Sequence, residues 1–266
     1  MKSRATSSLI LGSAAMLMAS SACAVTVSAA TPEMLVEAFF GSSSNITVIP
    51  GSIEFIGAAT QSGVYDNGIV MTTGSINHIP RRHTSTGTGS SALLASLAGA
   101  SRTYDQNILS FSFTVNDASV NAISTNFFLA SDEYPDWLGS KYRDVFGFYI
   151  DGVNYAHFPD GSRVVATETS DYVNGNDVGY NGKTLSYSLV GLLDPSLPVH
   201  TLTIGIADVG DAIYDSAVFI GSLSPFSCTN CTPGVTPTVP EPETYAMLLA
   251  GLGVVGVAAK RRRRLG

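Results

Sequence analysis

Two short stretches of this chain hold carboxylates at a density that could do chemistry. Phe128-Leu-Ala-Ser-Asp-Glu-Tyr-Pro-Asp-Trp-Leu-Gly-Ser-Lys-Tyr-Arg-Asp144 carries Asp132, Glu133, Asp136 and Asp144 around the single tryptophan, Trp137. Ile206-Ala-Asp-Val-Gly-Asp-Ala-Ile-Tyr-Asp215 carries Asp208, Asp211 and Asp215. Each stretch begins as a β-rich run and places its acids where the run ends. Ca²⁺ takes about six to eight oxygens at about 2.3–2.6 Å with flexible geometry, and Asp-rich loops at strand ends supply them. Asp132, Glu133, Asp144, Asp208, Asp211 and Asp215 are therefore the candidate Ca²⁺ ligands, on condition that the two loops meet. So many like charges repel, and either a cation or the neighbouring Lys141 and Arg143 must offset them. Neither stretch has EF-hand spacing. The plain alternative is that these residues cap turns and accept backbone hydrogen bonds.

The same carboxylates raise an enzymatic reading. Glu133 and Asp136 would serve as acid and base on a glycoside if their side chains stood about 5–9.5 Å apart across a cleft. No Gly-x-Ser-x-Gly motif marks a serine nucleophile. Tyr134, Trp137 and Tyr142 beside the acids are either stacking platforms for sugar rings or core residues. His78, His83, His157 and His200 are scattered without metal spacing, and the last two fall in strand-like runs, where a structural role is the ordinary one. No residue is assigned as catalytic, and the chain is expected not to be an enzyme. Cys228 and Cys231, spaced Cys-x-x-Cys, are expected to form a disulfide in an oxidising compartment. No further thiolates or histidines stand at zinc spacing, and the Thr/Pro-rich continuation lacks the helix of a redox motif.

The elements that must position these residues are mostly strands. Residues 31–40 read as a short helix capped by Thr31 with Pro32 in its first turn. Residues 46–49, 52–56, 68–72, 108–115, 122–130, 145–150, 153–157, 163–166, 185–190, 200–207 and 217–223 are β-rich runs. Leu109-Ser-Phe-Ser-Phe-Thr-Val and His200-Thr-Leu-Thr-Ile-Gly-Ile alternate apolar and polar, which turns one face inward. Asp151-Gly152 separates two runs as a tight hairpin turn would. Residues 84–91, rich in Thr, Ser and Gly, read as a flexible loop before a short helix over 92–98. Many short strands without alternating helices predict an all-β fold, an antiparallel, jelly-roll-like β-sandwich with one or two short helices.

At the acidic stretches the chain resembles the choice-of-anchor L domain of bacterial surface proteins. The matching segments are Ala130-Ser-Asp-Glu-Tyr with Asp144-Val-Phe-Gly-Phe, Ala207-Asp-Val-Gly-Asp-Ala-Ile-Tyr-Asp-Ser-Ala-Val-Phe, and Ser62-Gly-Val-Tyr-Asp-Asn-Gly-Ile-Val-Met-Thr-Thr-Gly. The resemblance covers residues 34–224. It implies a surface domain paired with an exchangeable attachment signal, and no established activity or substrate.

The ends of the chain read as addresses. Lys2 and Arg4, an apolar run over 9–19 and Ala22-Cys23-Ala24 form a signal peptide cut after Ala24, residues 1–24, with Ser28-Ala29-Ala30 as a later alternative. The rival, a lipoprotein signal acylated at Cys23, meets Ser20 where an aliphatic residue is usual. The globular domain is expected over 31–226, a Cys/Thr/Pro linker over 227–238 and a sorting signal over 239–264. That signal comprises Val239, Pro240, Glu241 and Pro242, an uncharged transmembrane helix over 244–259, and the stop Lys260, Arg261, Arg262, Arg263 and Arg264. A helix over 244–259 is about 24 Å long, somewhat short for a core of about 30 Å. The cations hold its end in the cytoplasm. The tail resembles the PEP-CTERM signal, which implies exosortase as the processing partner.

Between the two addresses stand seven Lys and Arg against nineteen Asp and Glu, a net charge of −12, which the whole-chain value of −7 understates. Such acidity argues against nucleic acid or anionic lipid as partner. The expected partners are signal peptidase, the secretion translocon, exosortase, the inner membrane transiently, and extracellular polysaccharide as a candidate. The expected destination is the cell surface or extracellular matrix of a Gram-negative bacterium, after a stage as an inner-membrane anchored precursor. The expected role is non-enzymatic adhesion or ligand binding with Ca²⁺ as a candidate ion; the alternative is a glycan-active hydrolase on the same scaffold.

Overall fold

A computed structural model of the chain describes residues 30–40, 45–61, 64–65, 67–76, 85–166 and 172–238. The signal segment with Ala22 and Ala24, the tail from Val239 through Arg264, and His78 and His83 lie outside the described residues.

Among the described residues two short helices flank an all-antiparallel β architecture. Thr31 caps α1 (Pro32–Phe40) by accepting the Met34 amide at 3.3 Å, and Leu35, Val36 and Phe39 are buried from its inner side. The strands divide into two sheets. The smaller, six-stranded sheet holds β1 (Ile46–Val48), β2 (Glu54–Ile56), β5 (Tyr104–Val115), β7 (Val145–Ile150), β8 (Val153–Asn154) and β12 (His200–Asp208). Its order is β1-β5-β12-β7-β8, with β2 also on β5. The nine-stranded sheet holds β3 (Ala58–Gln61), β4 (Gly68–Thr72), β6 (Ala122–Ser131), β9 (Tyr172–Asn174), β10 (Gly182–Thr184), β11 (Tyr187–Leu192), β13 (Ser216–Gly221), β14 (Ser224–Phe226) and β15 (Gly234–Pro237). Its path runs β15-β11-β6-β13-β4-β3, with β10 and β14 on β6 and β9 on β10.

Alternation decides which face of each strand turns inward. In β5 every second residue is buried, and Leu109, Phe111 and Phe113 enter the core with Leu202, Ile204 and Ile206 of β12. Ile123, Phe127 and Leu129 of β6 and Val218 and Ile220 of β13 meet them from the other sheet. One apolar cluster thus joins both inner faces, as a sandwich requires. Each fully buried Phe or Leu contributes about 1.5–3 kcal/mol of transfer free energy. The outer faces carry smaller clusters. α2 (Ala92–Ala98), capped by Ser91, lays Leu94 and Ala98 on Val145 and Ala207 of the smaller sheet. Val178 and Tyr180 lie on Phe128, Ala130 and Phe219 of the larger.

Four sequence expectations need correction. The run 163–166 makes only isolated bridges, Val145 with Val165 and His157 with Arg163, and the run from 153 forms a strand only through Asn154. The segment expected as a linker supplies β15, an edge strand on β11 with Val235 fully buried; Pro237 is tolerated because an edge leaves one side unpaired. The Ser/Thr/Gly stretch before α2 is stitched down over 85–91. Ser85 and Thr86 hydroxyls and the Gly87 amide all donate to Asp105 Oδ1, and Gln106 and Thr88 exchange bonds across the gap. A polar composition concealed this because its partner, buried Asp105, lies on β5.

Candidate functional site

The four strands that carry the acidic residues terminate together. β6 ends at Ser131 and β12 at Asp208, whereas β7 starts at Val145 and β13 at Ser216. Antiparallel register sets Ser216 opposite Ser131 in the larger sheet and Ala207 opposite Val145 in the smaller. The next residue along places Asp132 beside Asp215, whose carbonyl accepts the Asp132 amide at 3.1 Å. By the same step Asp144 and Asp208 extend the β7 and β12 pair. The sheets are tied across this end by Ser216 Oγ, 2.8 Å from Ser131 Oγ and 2.5 Å from Asp144 Oδ2. Both acidic loops therefore meet at one end of the sandwich.

Burial there is severe for charged groups. Glu133, Asp144 and Asp208 are each 2% exposed, Asp132 5% and Asp215 6%; Asp211 is half-buried. Asn181 donates its backbone N–H to Asp132 Oδ1 at 2.9 Å and its side-chain amide to the Asp132 carbonyl at 3.0 Å. Asp144 Oδ1 accepts the Val209 amide at 3.2 Å. Asp211 caps its own turn through the Ile213 amide. Glu133 Oε2 and Asp208 Oδ1 are buried with no hydrogen-bond partner among the described residues. An orphaned buried polar atom costs about 1–3 kcal/mol, and more where it is charged.

The electrostatic consequence is proton retention. Burial, reinforced by Asp144, Asp211 and Asp132, pushes Glu133 up to about 8. Burial also pushes Asp144 up to about 7 against the bonds from Ser216 and Val209, with Asp211 and Asp215 adding to the rise. Asp208 is raised well above the carboxylate range by burial and by Asp144. Lys141, with Arg143 the alternative to a cation for offsetting the cluster, lies with its Nζ 5.0 Å from the centroid of the Tyr142 ring. In this conformation no three His, Cys, Asp or Glu side chains among the described residues are disposed to grip a metal ion.

Several contributors escaped the sequence reading. Gly74 leaves room for Asp215: a Cβ there would stand 2.1 Å from Asp215 Oδ2. Thr73 bonds the Asp208 side chain, and Asp105, 4% exposed, adds its charge against Asp208. The Thr72-Thr73-Gly74 end of the family-like segment was their one sequence signal; Asn181 and Asp105 had none, since both reach the site through tertiary packing.

The neighbouring aromatic residues separate into two kinds. Tyr134 is fully buried and stacks on Tyr172 with centroids 4.7 Å apart, so it is a core residue. Trp137 is 36% exposed and meets Tyr142 edge-on at 5.1 Å and Tyr214 at 6.3 Å. Glu133 is buried while Asp136 is exposed, so this pair does not frame a common cleft. His157 meets the Phe158 carbonyl at 3.2 Å, and His200 is buried against Asp151 at 2.7 Å. Cys228 and Cys231 are joined by a disulfide with Cα atoms 5.7 Å apart. Among the described residues no helix is long and apolar enough to cross a membrane.

Comparison with known proteins agrees with the two resemblances read from the sequence. The Choice-of-anchor L domain model matches residues 24–226, which include both acidic loops. The PEP-CTERM protein-sorting motif matches residues 238–264, which include Pro240-Glu241-Pro242 and the basic end. No curated protein and no solved structure matches the chain. The chain belongs to the Choice-of-anchor L domain family and carries the PEP-CTERM signal of an exported, exosortase-processed protein.

Proposed function

We propose that the protein is a non-enzymatic component of the bacterial surface or extracellular matrix that holds Ca²⁺ at the acidic end of its sandwich. The observation that carries the Ca²⁺ reading is the pair of buried oxygens without a hydrogen-bond partner among the described residues, Glu133 Oε2 and Asp208 Oδ1, within a group of six carboxylates. Hard oxygen donors of this kind suit Ca²⁺, and a divalent charge would offset the repulsion that otherwise retains protons. Asp132, Glu133, Asp144, Asp208, Asp211 and Asp215 are the proposed ligand set, gathered by side-chain rotation upon binding.

Calorimetric titration of the full-length protein in detergent micelles, paired with thermal melting, tests this. Binding heat and a higher melting temperature at pH 8 are expected; at a hundredfold excess over Kd the gain is about 2.7 kcal/mol. No heat and an unchanged melting temperature would overturn the reading. The export route runs through signal peptidase, the translocon and transient residence in the inner membrane, followed by removal of the tail. Mass spectrometry of mature protein still carrying Arg261 to Arg264 would overturn that route.

One observation favours the hydrolase alternative: a Glu133 that holds its proton near neutral pH is what a general acid needs. Against it, Glu133 is 2% exposed, and among the described residues no carboxylate lines either of two surface cavities, one beside Tyr65 and one beside Arg163. Hydrolysis of a glycan by the native protein but not by Glu133→Gln would establish the enzyme.

A further inference from the structure

The outer face of the larger sheet has two halves of opposite character. On β6, Ile123, Phe127 and Leu129 point into the main core, so Ser124, Asn126, Phe128 and Ala130 point outward. Phe128 and Ala130 are covered by Val178 and Tyr180. Ser124 and Asn126 are not covered; they floor an open hollow of about 480 Å³. Ser188 of β11 lies opposite Asn126 in register, placing a hydroxyl beside an amide. Asn67 and Ser222 border the hollow, and Tyr65 walls it with its ring 6.2 Å from Phe128. The apolar cover thus fixes the aromatic wall of the polar half.

The chemistry of the lining narrows the ligand. Among the described residues no charged side chain lines the hollow, although the exported region carries a net charge of −12. Among the described lining residues an anion meets no Lys or Arg and a cation meets no carboxylate. Among them an apolar ligand meets one aromatic ring, that of Tyr65. What does match is a surface of hydroxyls and carboxamides, each both donor and acceptor, beside one aromatic face. Among the described residues the side chains of Asn67, Asn126, Ser188 and Ser222 have no hydrogen-bond partner, which leaves polar groups for a ligand to meet. The volume falls within the range of about 300–1,000 Å³ usual for ligand sites.

We propose that this hollow binds an uncharged glycan, with Asn126, Ser188 and Asn67 bonding sugar hydroxyls and Tyr65 contacting a ring face. This names a ligand class for the matrix role proposed above, at a site separate from the acidic end; failure of Ca²⁺ binding leaves it standing. Full-length protein in detergent micelles would be run through affinity gels containing dextran, galactomannan, hydroxyethyl cellulose, alginate or dextran sulfate, each with and without a chelator. Retardation by at least one of the three neutral polymers, unchanged by chelator, is expected. Asn126→Ala with Ser188→Ala should weaken it at least tenfold while the melting temperature stays near that of the native protein, since neither side chain is in the core. Retardation by none of the neutral polymers, by the anionic ones alone, or equally in the double variant would overturn the proposal. Loss of retardation with chelator would also overturn it and move glycan recognition to the acidic end.

Discussion

The two ends of the β7 and β12 strand pair handle buried carboxylates in opposite ways. At one end Asp151, whose side chain is 4% exposed, accepts from the Thr201 amide at 2.9 Å, the Asp194 amide at 3.1 Å and His200 at 2.7 Å. At the other, Asp144 accepts from Val209 and Ser216 yet, like Asp208, faces further carboxylates, and Asp208 Oδ1 has no hydrogen-bond partner among the described residues. The strands, the depth and the residue type are shared; only the supply of donors differs. A satisfied acid stabilises its turn, while an unsatisfied group at the same depth spends folding energy, as sites kept for a ligand do.

The largest expected effect comes from breaking the satisfied end. Asp151→Ala strands three donors and should cost about 2–4 kcal/mol in urea unfolding, independent of Ca²⁺. A loss under about 1 kcal/mol would erase the contrast between the two ends.

Next comes pH at the unsatisfied end. Glu133 and Asp144 ionise from ordinary values of 4.5 and 3.8 when unfolded, but hold their protons to about 8 and about 7 when folded. Between those limits the folded protein binds protons that the unfolded chain releases, so raising the pH favours unfolding. The contribution is complete below the unfolded values and is lost as the pH climbs through about 7 and about 8. Melting temperature without Ca²⁺ should therefore fall from pH 5 to pH 8.5, and Ca²⁺ should recover most at the upper end. A flat profile would show that the cluster is not strained.

Smaller changes come from removing single charges. Asp208→Asn or Glu133→Gln should raise Ca²⁺-free stability at pH 8.5 by about 1–2 kcal/mol, have little effect at pH 5, and blunt the response to Ca²⁺. Asp136→Asn, one exposed position in the same loop, should stay within about 0.5 kcal/mol at either pH. Equal behaviour of Asp136→Asn and Glu133→Gln would mean that burial is not what separates them.

The fold was largely legible where periodicity was strong. Leu109-Ser-Phe-Ser-Phe alternates, and β5 does bury every second residue. The Asp151-Gly152 turn was legible as well, with both residues at positive φ, 52° and 80°. β3, β9, β10, β14 and β15 were not read as strands, because runs of three or four residues carry no period and are held by the neighbours they pair with. Trp137 and Tyr134 looked alike in sequence; one lies partly in solvent and the other stacks on Tyr172, three strands further along the chain.

By itself the sequence determined the all-β class and the C-terminal sorting signal, and it named the acidic residues of the candidate site, because residue type, alternation and an ordered series of signals are local properties. Only the tertiary structure decided that the acids of two loops share one end, that Ser216 bridges the sheets to Asp144, and that Gly74 makes room for Asp215. It also decided which half of an outer sheet face stays bare. These depend on which strands end together and what lies across from them, and hydrogen-bond register between distant segments sets both.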